Sequence, residues 1–223
     1  MITVHHLNVS RSFSIVWLLE ELGVEYEITH HKRTKGFRSP PALREVHPLG
    51  KSPVVVDDGE VLAETGAIVE TLVERHGSGK LMPEPGTPAA KDCRYIMHYS
   101  EGSLMPPLLV RLLFDRIESA KLPFFAKPIA KGIVKKVDEN FMSGELSSNT
   151  RLIEQMLDGR DWICGEHFTV ADIMLGFPVQ VLLMRGRQSE SATRNIRAYV
   201  DRLKARDGYQ AAIRRAGADA LEG

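Results

Sequence analysis

Long hydrophobic runs are missing from this sequence. No stretch of about 18 apolar residues occurs, so no membrane-spanning helix is expected. Cysteine is scarce, with two in 223 residues. Cys93 and Cys164 lie far apart in the chain and show neither metal-ligand spacing nor a Cys-x-x-Cys pair, which excludes a disulfide scaffold. Both are expected to be plain buried thiols. Excess charge of either sign is absent too: 29 basic residues balance 29 acidic ones, so no overall field draws the chain to nucleic acid or to an anionic membrane surface. The segment Met1-Ile2-Thr3-Val4-His5-His6-Leu7 lacks the basic stretch followed by an apolar one that marks a signal peptide. These absences together predict a protein of the reducing cytoplasm. Apolar residues, at 43%, are plentiful enough for a packed core.

The first 80 or so residues alternate strand and helix signals. Ile2 to Leu7 reads as a strand, and Phe13, Ile15, Val16, Leu19 and Leu22 repeat at helical spacing until Gly23. Tyr26 to His30 reads as a second strand, followed by a basic, Pro-containing stretch from Lys32 to Pro41 and a short helix around Ala42 to Val46. Val54 to Asp57 and Glu60 to Ala63 flank Asp58-Gly59, the pair that tolerates positive φ at both centres of a type I′ turn, so a hairpin is expected. Thr65, Ile68, Val69, Leu72 and Val73 share one helical face ending near His76-Gly77. The element order is βαβαββα.

Breakers then cluster at Gly77, Gly79, Pro83, Pro85, Gly86 and Pro88, which marks an interdomain linker. Residues 1–80 form one expected domain, 81–88 the linker and 89–223 an all-helical second domain. Its helix candidates are Ala89 to Arg116, Pro128 to Met142, Asn149 to Leu157, Val170 to Met184, Thr193 to Arg206 and a short one from Gly208. Pro106-Pro107 should kink or break the first, because proline lacks the amide hydrogen and clashes with the preceding turn. In Phe168-Thr169-Val170-Ala171-Asp172-Ile173, Thr169 is placed to cap a helix with Asp172 at the third position and Phe168 stapled to Ile173. Capping explains both the type and the spacing of Asp172, which reads as structural.

Three short segments carry the chemistry: Ser10-Arg11-Ser12, Pro48-Leu49-Gly50-Lys51-Ser52-Pro53 and Glu64-Thr65. Each should lie at a strand end or helix start on one edge of the sheet, where open α/β sheets bind ligands. The free amides at a helix starting with Thr65 suit a carboxylate, and Glu64 beside them suits an ammonium. Glu64-Thr65 thus fits an α-amino-acid head group, against the plainer reading of a helix cap with a solvated glutamate. A cis bond before Pro53 would turn the Ser52 backbone outward to pair with a peptide-like ligand.

Other motifs fall away. Gly50-Lys51-Ser52 imitates a phosphate-binding loop, but position 45, where the earlier glycine belongs, is Glu. In His5-His6 and His30-His31, strand neighbours point to opposite faces, so neither pair chelates a metal alone. Arg194, Arg197, Arg202, Lys204, Arg206, Arg214 and Arg215 have the spacing of a solvated helical face.

The run His47-Pro48-Leu49-Gly50-Lys51-Ser52-Pro53, the Asp58-Gly59 hairpin and Leu62-Ala63-Glu64-Thr65-Gly66-Ala67-Ile68 resemble the glutathione-binding half of the cytosolic glutathione S-transferases. Phe168 to Ile173 looks like the capping box of that family's helical domain, and the resemblance spans essentially the whole chain. It implies a thioredoxin-like domain followed by an all-helical one, a cis Ser52-Pro53 bond, and glutathione as co-substrate without a metal. It further implies that Ser52 holds the cysteinyl unit, that Glu64 and Thr65 bind the γ-glutamyl head, and that Lys51 reaches the glycine carboxylate. His47 stands where the family has asparagine, and Thr65 where it has serine, a swap that keeps the hydroxyl.

The catalytic position of this family, near the end of the first strand, holds Tyr, Ser or Cys according to class. Tyr and Cys are absent from the loop here, so the chain looks like a serine-type bacterial and fungal member. Ser10 is favoured as a helix-capping hydroxyl aimed at the ligand, Ser12 stays open as the alternative, and Arg11 adds positive potential or is simply solvated. The implied activity is conjugation of glutathione to a hydrophobic electrophile by a homodimer, with the acceptor site facing Tyr99, Ser103 and Pro106. Glutathione-dependent reduction of a peroxide, disulfide or halide is the second reading, and a non-catalytic binding protein of the same fold the third.

Overall fold

The computed structural model describes residues 1–217, so the last six residues of the expected helical domain lie outside the described part. The elements β1 (Ile2–Leu7), α1 (Ser12–Leu22), β2 (Tyr26–His31), α2 (Ala42–Val46), β3 (Val54–Asp57), β4 (Glu60–Ala63) and α3 (Thr65–His76) follow the expected order. They build a four-stranded sheet ordered β2-β1-β3-β4, with β1 parallel to β2 and antiparallel to β3. Ile2 and Val4 point into the core, as strand alternation requires. Asp58 and Gly59 take φ of 47° and 87°, the turn their chemistry favours, and β3 pairs with β4 across it. The cross-strand register sets His5 Nδ1 3.1 Å from His31 Nε2, while His6 and His30 meet edge to face on the opposite side.

The helical domain consists of α4 (Pro88–Tyr99), α5 (Met105–Ser119), α6 (Lys127–Val137), α7 (Ser143–Met156), α8 (Val170–Arg185), α9 (Arg194–Lys204) and α10 (Asp207–Ala216). Two expectations are corrected here. The break in the first long helix precedes Pro106-Pro107: residues 100–104 form a wide π-type turn in which the Met105 amide bonds to the Ser100 carbonyl, and the prolines occupy the first turn of α5. Their missing amides cost little there, since first-turn amides lack an intrahelical partner anyway. The second correction joins two helices into one, because Lys127 to Met156 runs on through a similar wide turn at 138–142 and Ser143-Gly144 does not interrupt it. Burial of Met142, Leu146, Thr150 and Ile153 on one side overrides the weak local propensity.

Helix α1 is buried on nearly every side because the sheet packs on one face and α8 and α10 on the other. Trp17 sits at the centre, with its ring 5.0 Å from Tyr209 and 5.6 Å from Phe168. Gly176 of α8 makes this approach possible: a Cβ there would stand 2.9 Å from Cζ3 of Trp17. A rigid indole cannot yield as a flexible chain end would. Gly176→Ala is therefore expected to destabilise the protein by about 1–3 kcal/mol, read as a lower denaturation midpoint in urea.

Trp17 Nε1 donates to Glu21 at 2.9 Å, and Arg206 grips the same carboxylate through two bonds of 2.7 Å. Arg206 also lies 3.6 Å over the Phe168 ring, and Arg215 lies 4.0 Å over that of Tyr26 while donating to its carbonyl oxygen. Part of the basic face read as solvated thus ties the two domains together. Cys93 and Cys164 are free thiols; Cys93 is buried with its Sγ 3.8 Å from Met82 Sδ, whereas Cys164 is only half-buried.

Candidate active site

The three segments singled out from the sequence meet at one edge of the sheet. Strand β1 ends at Leu7, and the loop that follows delivers Ser10, whose hydroxyl donates to the Leu7 carbonyl at 2.7 Å. The same oxygen lies 2.7 Å from Ser12 Oγ and 3.3 Å from Ser52 Oγ, so it joins the β1–α1 loop to the loop before β3. The Ser52-Pro53 bond is cis. Arg11, Ser52, Pro53, Lys51, Glu64 and Thr65 then line a single crevice of about 60 Å³.

The two candidate serines differ in surroundings. Ser12 is fully buried; its hydroxyl accepts from the Leu7 amide at 3.1 Å and lies 2.9 Å from His6 Nδ1. Ser10 is 6% exposed and opens into the cleft between the domains. The capping role expected of Ser10 does not hold: Arg11 occupies the cap position of α1, and Ser10 instead receives the Ser12 amide at 3.3 Å. Arg11 is not solvated either. It is half-buried and ion-paired with Glu101 across the cleft, and burial pushes its guanidinium pKa down against the pull of Glu64.

Glu64 has φ of 69°, a left-handed conformation that costs a side-chain-bearing residue roughly 1–3 kcal/mol. It immediately precedes α3, whose first residue, Thr65, is buried. The Thr65 hydroxyl has no hydrogen-bond partner among the described residues. A buried hydroxyl left unpaired is unfavourable unless a ligand completes it. Here it lies among unpaired first-turn amides at the positive end of a helix, which is the environment a carboxylate seeks. An α-amino-acid head group, which carries a carboxylate and an ammonium on one carbon, has the charges that the Thr65 and Glu64 pair would match. Lys51 is exposed at the rim and makes no ion pair among the described residues.

A larger cleft of about 600 Å³ opens from Ser10 and Ser52 toward the helical domain, walled by Leu108, Leu109, Leu112 and Leu113 of α5 and by Phe177 and Val181 of α8. Of the expected acceptor-site residues, Pro106 lines it. Tyr99 and Ser103 do not: the Tyr99 hydroxyl donates to Asn149 at 2.6 Å in the interior, and Ser103 faces outward. Positions 99, 103 and 106 share a face in an uninterrupted α-helix, but the wide turn at 100–104 rotates Tyr99 away from it. Phe37 and the leucines of α5 were missed. The signal for the leucines was the breadth of the apolar surface on α5, wider than the single stripe a buried helix needs; Phe37, in the loop after β2, had none.

Asp172 is fully buried and accepts from the amides of Ile163 (2.9 Å) and Thr169 (2.8 Å), and from the hydroxyls of Thr169 (3.1 Å) and Tyr199 (2.9 Å). It stands in the helical domain as a structural carboxylate at the start of α8.

Residues 1–74 match the family model of the glutathione S-transferase N-terminal domain, and residues 135–207 match that of the C-terminal domain. Glutathione S-transferase 3 of Schizosaccharomyces pombe is 37% identical over 200 residues, covering 90% of this chain and 81% of that protein. Glutathione S-transferase 1 of Saccharomyces cerevisiae is 29% identical over 225 residues, covering 98% and 96%. The crystal structure of a glutathione S-transferase from Actinobacillus pleuropneumoniae superposes with a TM-score of 0.78 at 31% identity, covering all of this chain and 95% of that one. With its fold, its cis-proline edge and relatives at these identities across nearly its full length, the chain belongs to the glutathione S-transferase family.

Proposed function

We propose that this protein is a serine-type transferase that activates glutathione through Ser10 and passes its sulfur to an electrophile held in the cleft. The observation that carries the reading is the 3.3 Å contact between the Ser10 and Ser52 hydroxyls, which puts a donor beside the backbone edge where a cysteinyl unit would pair. Ser10 has one proton and gives it to the Leu7 carbonyl. On binding, that proton turns to the sulfur, while Ser12 remains as a neighbour that fixes the rotamer.

A free thiol with a pKa of about 8.5 is only about 3% ionised at pH 7. A charged hydrogen bond together with the positive end of α1 supplies the roughly 2.7 kcal/mol needed to lower that pKa by about two units. The thiolate then attacks the electrophile and expels its leaving group, with no protein base required. Glu64 and Thr65 hold the γ-glutamyl head, Lys51 reaches the glycine carboxylate, and the domains divide at a linker over 81–88. A cytoplasmic homodimer accompanies this reading. Among the described residues no helix is long and apolar enough to cross a membrane.

Assay of the purified protein with glutathione and a chlorodinitrobenzene, beside a hydroperoxide, tests the proposal. Glutathione-dependent loss of chloride is the expected result. Activity with neither, together with no glutathione binding in calorimetry, would point to the binding-protein reading instead. Thr65→Val gives a sharper check, because the hydroxyl it removes does nothing for the fold. Glutathione affinity should fall about tenfold, the value of one charge-assisted hydrogen bond, while the melting temperature holds or rises. Unchanged affinity would remove Thr65 from the site.

A further inference from the structure

Four arginines face the interdomain cleft: Arg11, Arg33, Arg116 and Arg185. Two of them are neutralised, Arg11 by Glu101 and Arg185 by Asp115 at 3.3 Å. The other two are not. Arg33 spends three of its donors on the carbonyls of Asn8 (3.1 Å), Phe37 (2.9 Å) and Val9 (2.8 Å), which orient the guanidinium without cancelling its charge. Arg116 of α5 pairs with no carboxylate among the described residues and lies over the same phenyl ring, 4.0 Å from the Phe37 centroid against 4.2 Å for Arg33.

Two like charges gathered on one phenyl ring repel each other, and the Arg33 guanidinium pKa is lowered by its burial and by Arg116. The arrangement is favourable only in part through the ring faces, since cation–π attraction at such sites is modest. An anion between or beside the guanidinium groups would relieve the repulsion and gain charge-assisted bonds. The wall of the same cleft includes leucines of α5 and Phe177 of α8.

We infer that the cleft selects electrophiles that carry an anionic group, a carboxylate or its like, on an apolar and preferably aromatic body, with Arg116 and Arg33 receiving the anion and the leucines of α5 the body. This deepens the transferase reading and rests on it for the word electrophile. The anion subsite itself rests only on the two arginines and Phe37. Arg33 is built into the loop through its three carbonyl bonds, whereas Arg116 is exposed and bonded to nothing the fold needs, so Arg116 is the residue to change.

The test compares two probes of matched shape, para-biphenylcarboxylate and para-biphenylmethanol, by calorimetry at low salt and without glutathione. The carboxylate should bind about tenfold more tightly than the alcohol, and the preference should shrink as salt is added. Arg116→Met, which keeps the apolar stem, should reduce the preference to about twofold or less, and Arg116→Lys should restore part of it. Equal affinities in the wild type, no measurable carboxylate binding, or a preference that survives Arg116→Met would overturn the inference. So would a loss of glutathione affinity in Arg116→Met with the biphenyl preference intact, because the arginines would then serve the tripeptide. Failure of the transferase reading shows separately, as absent glutathione binding and turnover, and leaves the biphenyl result to be read by itself.

Discussion

Ser10→Ala should lower kcat/KM for glutathione conjugation about 30-fold at neutral pH while leaving the melting temperature within a few degrees, because the bond it accepts from the Ser12 amide is long at 3.3 Å and weak. The magnitude follows from one hydrogen bond to a charged acceptor, about 2 kcal/mol, which is also about 1.5 units in the pKa of the bound thiol. The loss should shrink as pH rises toward the free thiol value, because the thiolate then forms without help. Ser12→Ala should behave in the opposite way. Its hydroxyl is buried and accepts the Leu7 amide, so its removal orphans a backbone donor and costs about 1–3 kcal/mol of stability. The thiol pKa should move less in Ser12→Ala than in Ser10→Ala. A pair of pH–rate profiles and melting curves separates the two serines, and the reverse pattern would assign the thiolate to Ser12.

The second large effect is expected far from the cleft. Asp172→Ala leaves the Ile163 and Thr169 amides and the buried Tyr199 hydroxyl without their acceptor. Stripping a buried carboxylate from such a set costs about 3–5 kcal/mol, on the order of 10 °C in melting temperature for a chain of this length. Folded Asp172→Ala protein should still bind glutathione, because the residue lies outside the cis-proline edge. A stable variant with normal melting and lost turnover would make Asp172 catalytic and contradict the structural role. Asp172→Asn should fall between, since its amide turns one donor toward the groups that already donate.

What could be read in advance follows from how local the cause is. Asp58-Gly59 dictates its own turn, Thr169 and Asp172 cap the helix they begin, and Glu64-Thr65 marks the start of a helix at the sheet edge. These were legible because each depends on residues a few positions apart. The choice between Ser10 and Ser12 was not, because two serines separated by one residue differ only in which one the sheet buries. The position of Tyr99 was misread for a similar reason: one wide turn at 100–104 shifts helical phase, and nothing in that stretch except the two following prolines signals it. The Glu21–Arg206 clasp and the Arg33–Phe37–Arg116 stack join segments distant in the chain, and charge spacing along one helix carries no information about such partners.

In the proposed reading, the site combines a locally encoded glutathione cradle with an acceptor cleft that only tertiary packing creates. Substitutions in the cradle should affect every acceptor alike, through glutathione affinity or thiol ionisation. Changes on α5 should alter the ranking of acceptors and leave ionisation as it was.

The most direct measurement is a spectroscopic titration of the thiol of glutathione bound to the wild-type protein, following thiolate absorbance against pH at saturating protein. A midpoint one to two units below the free value of about 8.5 is the result expected from Ser10 and the head of α1 acting on the sulfur. A bound thiol that ionises at its solution value would contradict it.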